Sequence, residues 1–194
     1  MVNLKDIKIY LLCNNSLFTD EWKEKFKGVE GVEVVLSDFG RFMVSNKVEC
    51  VVSPANSYGL MDGGYDLAIT EWFGDALQMK VREKILSEFF GEQPVGTSII
   101  VDTEKDGVKL IHTPSMRYPE RIRDPLVIYT CMRTCLICAM QNDIRSMVIP
   151  AFGGLTGCVT PKVVADMMRR AYDQLANPPE YISWRYADAV HFKY

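Results

Sequence analysis

The chain has 194 residues, 48% of them hydrophobic and 24% charged, with a net charge of −3. That length suits a single domain with enough apolar residues to bury a core. The slightly acidic balance argues against a nucleic-acid partner: the densest basic cluster, Arg117 to Arg123, is interrupted by Pro119 and Glu120, and a nonspecific binder carries a basic face.

No apolar run approaches the roughly 20 residues of a membrane span. The first residues alternate charge with apolar side chains and do not read as a signal peptide. The six cysteines lie in or beside apolar strand and helix patterns, the usage of reduced thiols in a cytoplasmic protein.

In chain order, residues 7–13 form an apolar run that predicts a buried strand. Thr19 or Asp20 is placed to cap a short helix ending near Phe26. Residues 32–36 predict a second strand, closed by Ser37-Asp38-Phe39-Gly40, and residues 48–53 a third. Beyond a glycine-rich turn, Ile69, Trp72, Phe73, Ala76 and Leu77 recur at helical spacing. Val81, Ile85, Leu86, Phe89 and Phe90 continue it to the stop at Gly91 and Pro94. Residues 97–102 and 109–113 predict a strand pair joined by a turn at Lys105-Asp-Gly107.

Asp124 and Pro125 suit the cap and first position of a helix whose residues 126–140 are apolar almost all round, hence buried. Residues 147–149 predict a strand running into a second glycine-rich turn, and Thr160-Pro161 opens a last helix with the stripe Val163, Val164, Met167, Met168, Ala171, Tyr172 and Leu175. Strands alternating with helices define an α/β class, and the hairpin makes the sheet mixed. The chain reads as one domain over residues 1–194, and the aromatic-rich tail 177–194 is expected to pack back on it.

Two loops carry most of the chemical signal. In the first, an apolar strand stops at Ser53-Pro-Ala55-Asn56-Ser and is followed by Asp62-Gly63-Gly64-Tyr-Asp66 and a helix. Ligands of open α/β sheets bind beyond the carboxyl ends of strands. Backbone amides at a glycine turn and a helix N-terminus form an anion cradle, and glycine lets the backbone approach a ligand closely. The alternative is a tight turn in which Asp66 merely caps the helix. The second loop, Phe152-Gly153-Gly154-Leu155-Thr156-Gly157, repeats the layout; it lacks the Gly-Lys-Ser/Thr ending of a Walker A loop. Two such loops, each at the end of an apolar strand, suggest a shared diphosphate; the alternative is two unrelated turns.

Cys131, Cys135 and Cys138 have the spacing of a radical-SAM cluster loop but fall on one face of a predicted helix, which favours buried thiols over cluster or zinc ligands. His112 ends a strand, where a hydrogen-bonded structural role outweighs a catalytic one, and His191 carries no signal. No Gly-x-Ser-x-Gly elbow is present.

Together these residues resemble the macro domain, the ADP-ribose-binding α/β/α module, over residues 32–175. Val52-Ser-Pro-Ala-Asn-Ser57, Gly63-Gly64-Tyr-Asp66-Leu-Ala-Ile69, Leu110-Ile-His112 and Pro150-Ala-Phe-Gly-Gly-Leu-Thr-Gly157 match family motifs in the family's order. The resemblance implies a three-layer α/β/α fold with a mixed central sheet, and ADP-ribose or an ADP-ribosylated substrate as partner. It implies no metal or cofactor.

It also implies roles. Asp38 would accept from the adenine amino group, with Phe39 presenting a backbone amide to the ring. Ala55 would lie at the ligand, and Asn56, near the distal ribose, would take part in catalysis with Asp66. Asp66 would orient or activate water at the anomeric carbon, C1″. Gly63 and Gly64, with Gly153, Gly154, Leu155, Thr156 and Gly157, would surround the diphosphate, and Phe152 would lie near the distal ribose. The resemblance further implies hydrolysis at C1″ of an ADP-ribosyl ester, O-acetyl-ADP-ribose or ADP-ribose 1″-phosphate; the alternative is a reader of ADP-ribose or a related NAD metabolite without turnover. The chain departs from the family pattern at Asp62, which stands in the glycine run, at Leu67, at Gly154-Leu155 and at both ends, in an atypical N-terminal segment 1–31 and the tail 177–194. Tyr181, Trp184 and Tyr186 are the candidates for stacking on adenine.

Overall fold

The computed structural model describes residues 1–191. Six strands form one sheet: β1 (Lys8–Cys13), β2 (Val32–Leu36), β3 (Cys50–Ser53), β4 (Ile99–Asp102), β5 (Lys109–His112) and β6 (Ser146–Pro150), in the order β2-β1-β6-β3-β5-β4. The first five in that order are mutually parallel, and β4 pairs antiparallel with β5 at the edge. The N-terminal segment therefore supplies a central strand, since β1 lies between β2 and β6.

Alternation along the strands splits the apolar side chains between two cores. Ile9, Leu11, Val52, Met147 and Ile149 face one side, where α1 (Ser16–Lys25), α5 (Leu126–Gln141) and α6 (Pro161–Ala176) cover them with Phe18, Trp22, Met132, Leu136, Val164 and Met168. Tyr10, Leu12, Val51, Leu110 and Val148 face the other, under Phe42, Ile69, Leu77, Val81 and Ile85 from α2 (Phe39–Ser45), α3 (Gly64–Phe73) and α4 (Ala76–Phe89). Parallel strands buried on both faces must be apolar throughout, and Cys50 through Ser53 are all buried. The architecture is the expected three-layer α/β/α sandwich with a mixed sheet. A short α7 (Trp184–Val190) ends the described chain.

Four local expectations are corrected. The first helix starts at Ser16, and its cap is Asn15, whose side chain accepts from the Leu17 amide, rather than Thr19 or Asp20. The single helix expected from Ile69 to Phe90 is two, because Gly74 adopts φ +94° and turns the chain between α3 and α4. Asp124 does accept from the Leu126 amide, but Pro125 precedes the first helical residue. Residues 39–45, read as following a strand end, are helical and are capped by Asp38.

The buried stripe of α6 follows the expected periodicity, as does the burial of Cys131, Cys135 and Cys138 on α5. Burial raises all three thiol pKa values, which keeps them protonated. Among the described residues no group of three or more His, Cys, Asp or Glu stands close enough to hold a metal ion, and no helix is long and apolar enough to cross a membrane.

Candidate functional site

The carboxyl ends of β1, β6 and β3 point into one cavity of about 480 Å³, within the roughly 300–1,000 Å³ range of small-molecule sites. Strand connections leave in opposite directions here, toward β2 on one side and β5 on the other, so a crevice opens between them. Leu12 and Cys13 come from β1, Asp38 from the turn after β2, Pro54, Ala55, Asn56, Leu60 and Asp62 to Asp66 from the first loop, and Pro150, Ala151, Gly153, Leu155, Thr156 and Gly157 from the second. Ser115, Met116 and Pro119 enter from the loop after β5, tied to the first loop by an isolated bridge between Asn56 and Met116.

Of the residues singled out in the sequence, Asp38, Phe39, Ala55, Asn56, Gly63, Gly64, Asp66, Gly153, Leu155, Thr156 and Gly157 all line this cavity. Phe152 and Gly154 do not. Phe152 is fully buried in the core beneath the loop, because Gly153, at φ +67°, reverses the chain immediately after it. Gly154 seats on α1: a Cβ there would lie 2.6 Å from Phe18 Cε1. Tyr181 and Trp184 are largely exposed, and Tyr186 accepts from Gln174 Nε2 against α6. None of the three lines the cleft. The tail expected to pack back on the domain includes residues 192–194, which lie outside the described residues.

Asp66 sits in the first turn of α3 without capping it. The N-cap is Gly63, and Asp66 Oδ1 instead accepts from Ser53 Oγ at 2.6 Å. The residue as a whole is partly exposed through the cleft, yet its carboxyl is walled by protein. This desolvation raises its pKa to about 7, the Ser53 bond opposes the shift, and the charge on Asp62 adds to it. Ser53 was not singled out in the sequence; its place at the carboxyl end of β3 was the available signal. Tyr65 was likewise passed over. Its ring meets Phe39 edge-on, with centroids 5.3 Å apart.

Asn56 is buried, and its amide braces the first loop. Oδ1 accepts from the Tyr58 and Leu60 amides at 3.1 and 3.3 Å, and Nδ2 donates to Leu60 O at 2.8 Å. One Nδ2 hydrogen remains for a ligand. Asp38 caps α2 through the Arg41 amide at 2.9 Å, and its second oxygen meets Arg41 Nε at 3.2 Å. In the second loop, a Cβ on Gly157 would lie 2.6 Å from Gly153 O, so only glycine lets the two ends of that turn approach. Among the described residues, the charged side chains lining the cavity are Asp38, Asp62 and Asp66, all acidic.

His112 is not part of the site. It is fully buried, its Nδ1 lies 2.7 Å from Gln93 Oε1, and desolvation pushes its pKa down to about 3, so it stays neutral.

The Macro domain family profile matches residues 52–168, which span the end of β3, the first loop, β5, β6 and the second loop. The chain belongs to the macro domain family. An uncharacterized protein of Aquifex aeolicus (strain VF5) is 29% identical over 121 residues, 62% of this chain and 70% of its own length. Among solved structures, the Oceanobacillus iheyensis macrodomain with MES bound is similar at TM-score 0.59 and 21% identity, covering 68% of this chain and 71% of that one. A mutant of it with ADPR gives 0.60 and 21%, covering 68% and 73%. The macrodomain of Mycobacterium tuberculosis DarG gives 0.58 and 20%, covering 68% and 85%. At these identities the likeness is one of fold. The chain's macro-domain cleft is thus built from two glycine loops and a buried carboxyl between them.

Proposed function

We propose that this macro domain binds ADP-ribose in the cleft and hydrolyses the bond at C1″ that joins it to an ester or related group. One observation carries the reading: Asp66, the acidic residue after the glycine turn, lies in the cleft with a pKa near 7, suited to a general base at neutral pH. Family membership and the ADPR-bound Oceanobacillus iheyensis fold relative support the choice of ligand.

In this reading the adenine lies by Asp38 and the Phe39 amide. The diphosphate is held by backbone N–H groups of Gly63, Gly64, Gly153, Thr156 and Gly157, with the positive end of α3 behind the first loop. Ala55 and Asn56 contact the distal ribose, Asn56 through its remaining amide hydrogen.

Deprotonated Asp66 then takes a proton from a water as the water oxygen bonds to C1″. The bond from C1″ to its substituent breaks, and the electron pair leaves with that substituent. Positive charge developing on the sugar is stabilised by the same carboxylate. Holding the diphosphate fixes the ribose against Asp66, which converts binding energy into orientation.

The test is release of product from an ADP-ribosyl carboxylate ester and from O-acetyl-ADP-ribose, by wild type and Asp66→Ala. Turnover should rise as pH rises through about 7, where the base loses its proton, and should fall at least about a hundredfold in the variant. Turnover indifferent to Asp66→Ala would remove this residue from the chemistry.

A second reading, ADP-ribose binding without turnover, is favoured by the way Asn56 spends most of its amide on its own loop. Tight binding with no product from either substrate would select it.

A further inference from the structure

We infer that Asp62 is a specificity-determining residue that excludes an anionic substituent at C1″ and restricts the cleft to neutral or cationic ones. This rests on the ADP-ribose reading above and narrows its substrate class: carboxylate esters and nitrogen-linked groups are admitted, and a terminal phosphate is refused.

Asp62 stands in the glycine run of the first loop, lines the cleft and is exposed to it. Among the described residues it forms no ion pair and no side-chain hydrogen bond, so none of them neutralises its charge. It lies close enough to Asp66 for its charge to act on that carboxyl.

The rest of the lining offers no compensation. Asp38 has its own partner in Arg41, and among the described residues no Lys, Arg or His lines the cavity. Arg117 is taken by Glu92. Arg121 and Arg123 flank Ile122, whose side chain packs beneath Gly153 and Gly157, and neither lines the cleft.

Backbone amides are the available donors for the diphosphate, and they serve the phosphates at the two glycine loops. A further phosphate on C1″ would sit by Asp62 and Asp66 with no cation to offset it. Like charges held in one cleft repel enough to cost about tenfold in affinity. An ester carbonyl escapes this repulsion, and a guanidinium or ammonium group reverses its sign.

The test is calorimetric titration of wild type and Asp62→Asn with ADP-ribose and with ADP-ribose 1″-phosphate at pH 8 and low salt, with inorganic phosphate release followed in parallel. Because the side chain makes no contact that holds the fold, the variant should remain folded. Wild type should bind ADP-ribose at least about thirtyfold more tightly than the 1″-phosphate, and Asp62→Asn should shrink that ratio at least fivefold by improving affinity for the phosphate. Equal wild-type affinity for the two ligands, efficient phosphate release by wild type, or an unchanged ratio in the variant would each overturn the inference. Failure of wild type to bind ADP-ribose at all would instead overturn the functional reading beneath it.

Discussion

Replacing Asp66 by asparagine should stabilise the protein above neutral pH and leave it nearly unchanged in acid. Asparagine mimics the protonated carboxyl and can still accept from Ser53 Oγ, which now lies 2.6 Å from Oδ1. In the folded protein the Asp66 pKa is raised to about 7, against roughly 3.9 unfolded. The folded state therefore holds a proton that the unfolded chain releases between those values. Stability is full below about pH 4, declines as pH rises toward 7, and is flat above. At 1.36 kcal/mol per pH unit that separation of pKa values sets a ceiling of roughly 4 kcal/mol, and partial solvent access lowers the expected gain at pH 8 to roughly 2–3 kcal/mol.

His112 has the opposite slope. Its pKa, pushed down to about 3, costs stability as pH falls below roughly 6.5, where the unfolded imidazole takes up a proton. Only the difference between variant and wild type isolates Asp66. Urea unfolding of both proteins at pH 4.5, 6, 7 and 8 measures it. A difference that does not grow with pH, or an asparagine variant less stable than wild type at pH 8, would refute the assignment of a desolvated carboxyl.

Two further variants probe the ligand end and the second loop. Asp38→Asn keeps the α2 cap, since asparagine caps as well as aspartate, but loses the carboxylate; it should weaken ADP-ribose and ADP by about tenfold in calorimetry and leave ribose 5-phosphate unchanged. Gly157→Ala forces a methyl group against Gly153 O, 2.6 Å from the ideal Cβ. It should cost about 1–3 kcal/mol in urea unfolding and weaken ADP-ribose at least tenfold as the loop opens.

The layers of this fold were legible because buried parallel strands must be apolar runs, and β1, β3 and β6 each announce themselves that way; β2, at the sheet edge and only partly buried, reads as Val-Glu-Val-Val-Leu. Helix α6 was legible for the same reason, its stripe being regular. The break between α3 and α4 was not: Gly74 sits inside an apolar pattern that continues on both sides, and only its positive φ separates two helices.

Helix α2 was hidden by its brevity and by Gly40 within it. The cleft's composition could be read from the two glycine loops, but the direction each side chain takes could not. Phe152 follows a motif that implies contact with ligand, yet the reversal at Gly153 sends it into the core. Ser53 and Asp66 lie 13 residues apart, and their bond arises only when the first loop folds back over the end of β3.

The central claim is that the cleft between the two glycine loops takes ADP-ribose. Titration of the protein with ADP-ribose in a calorimeter tests it directly. One saturable site per chain with micromolar affinity, weakened by Gly157→Ala, is the predicted result. No heat of binding at millimolar ADP-ribose would contradict it.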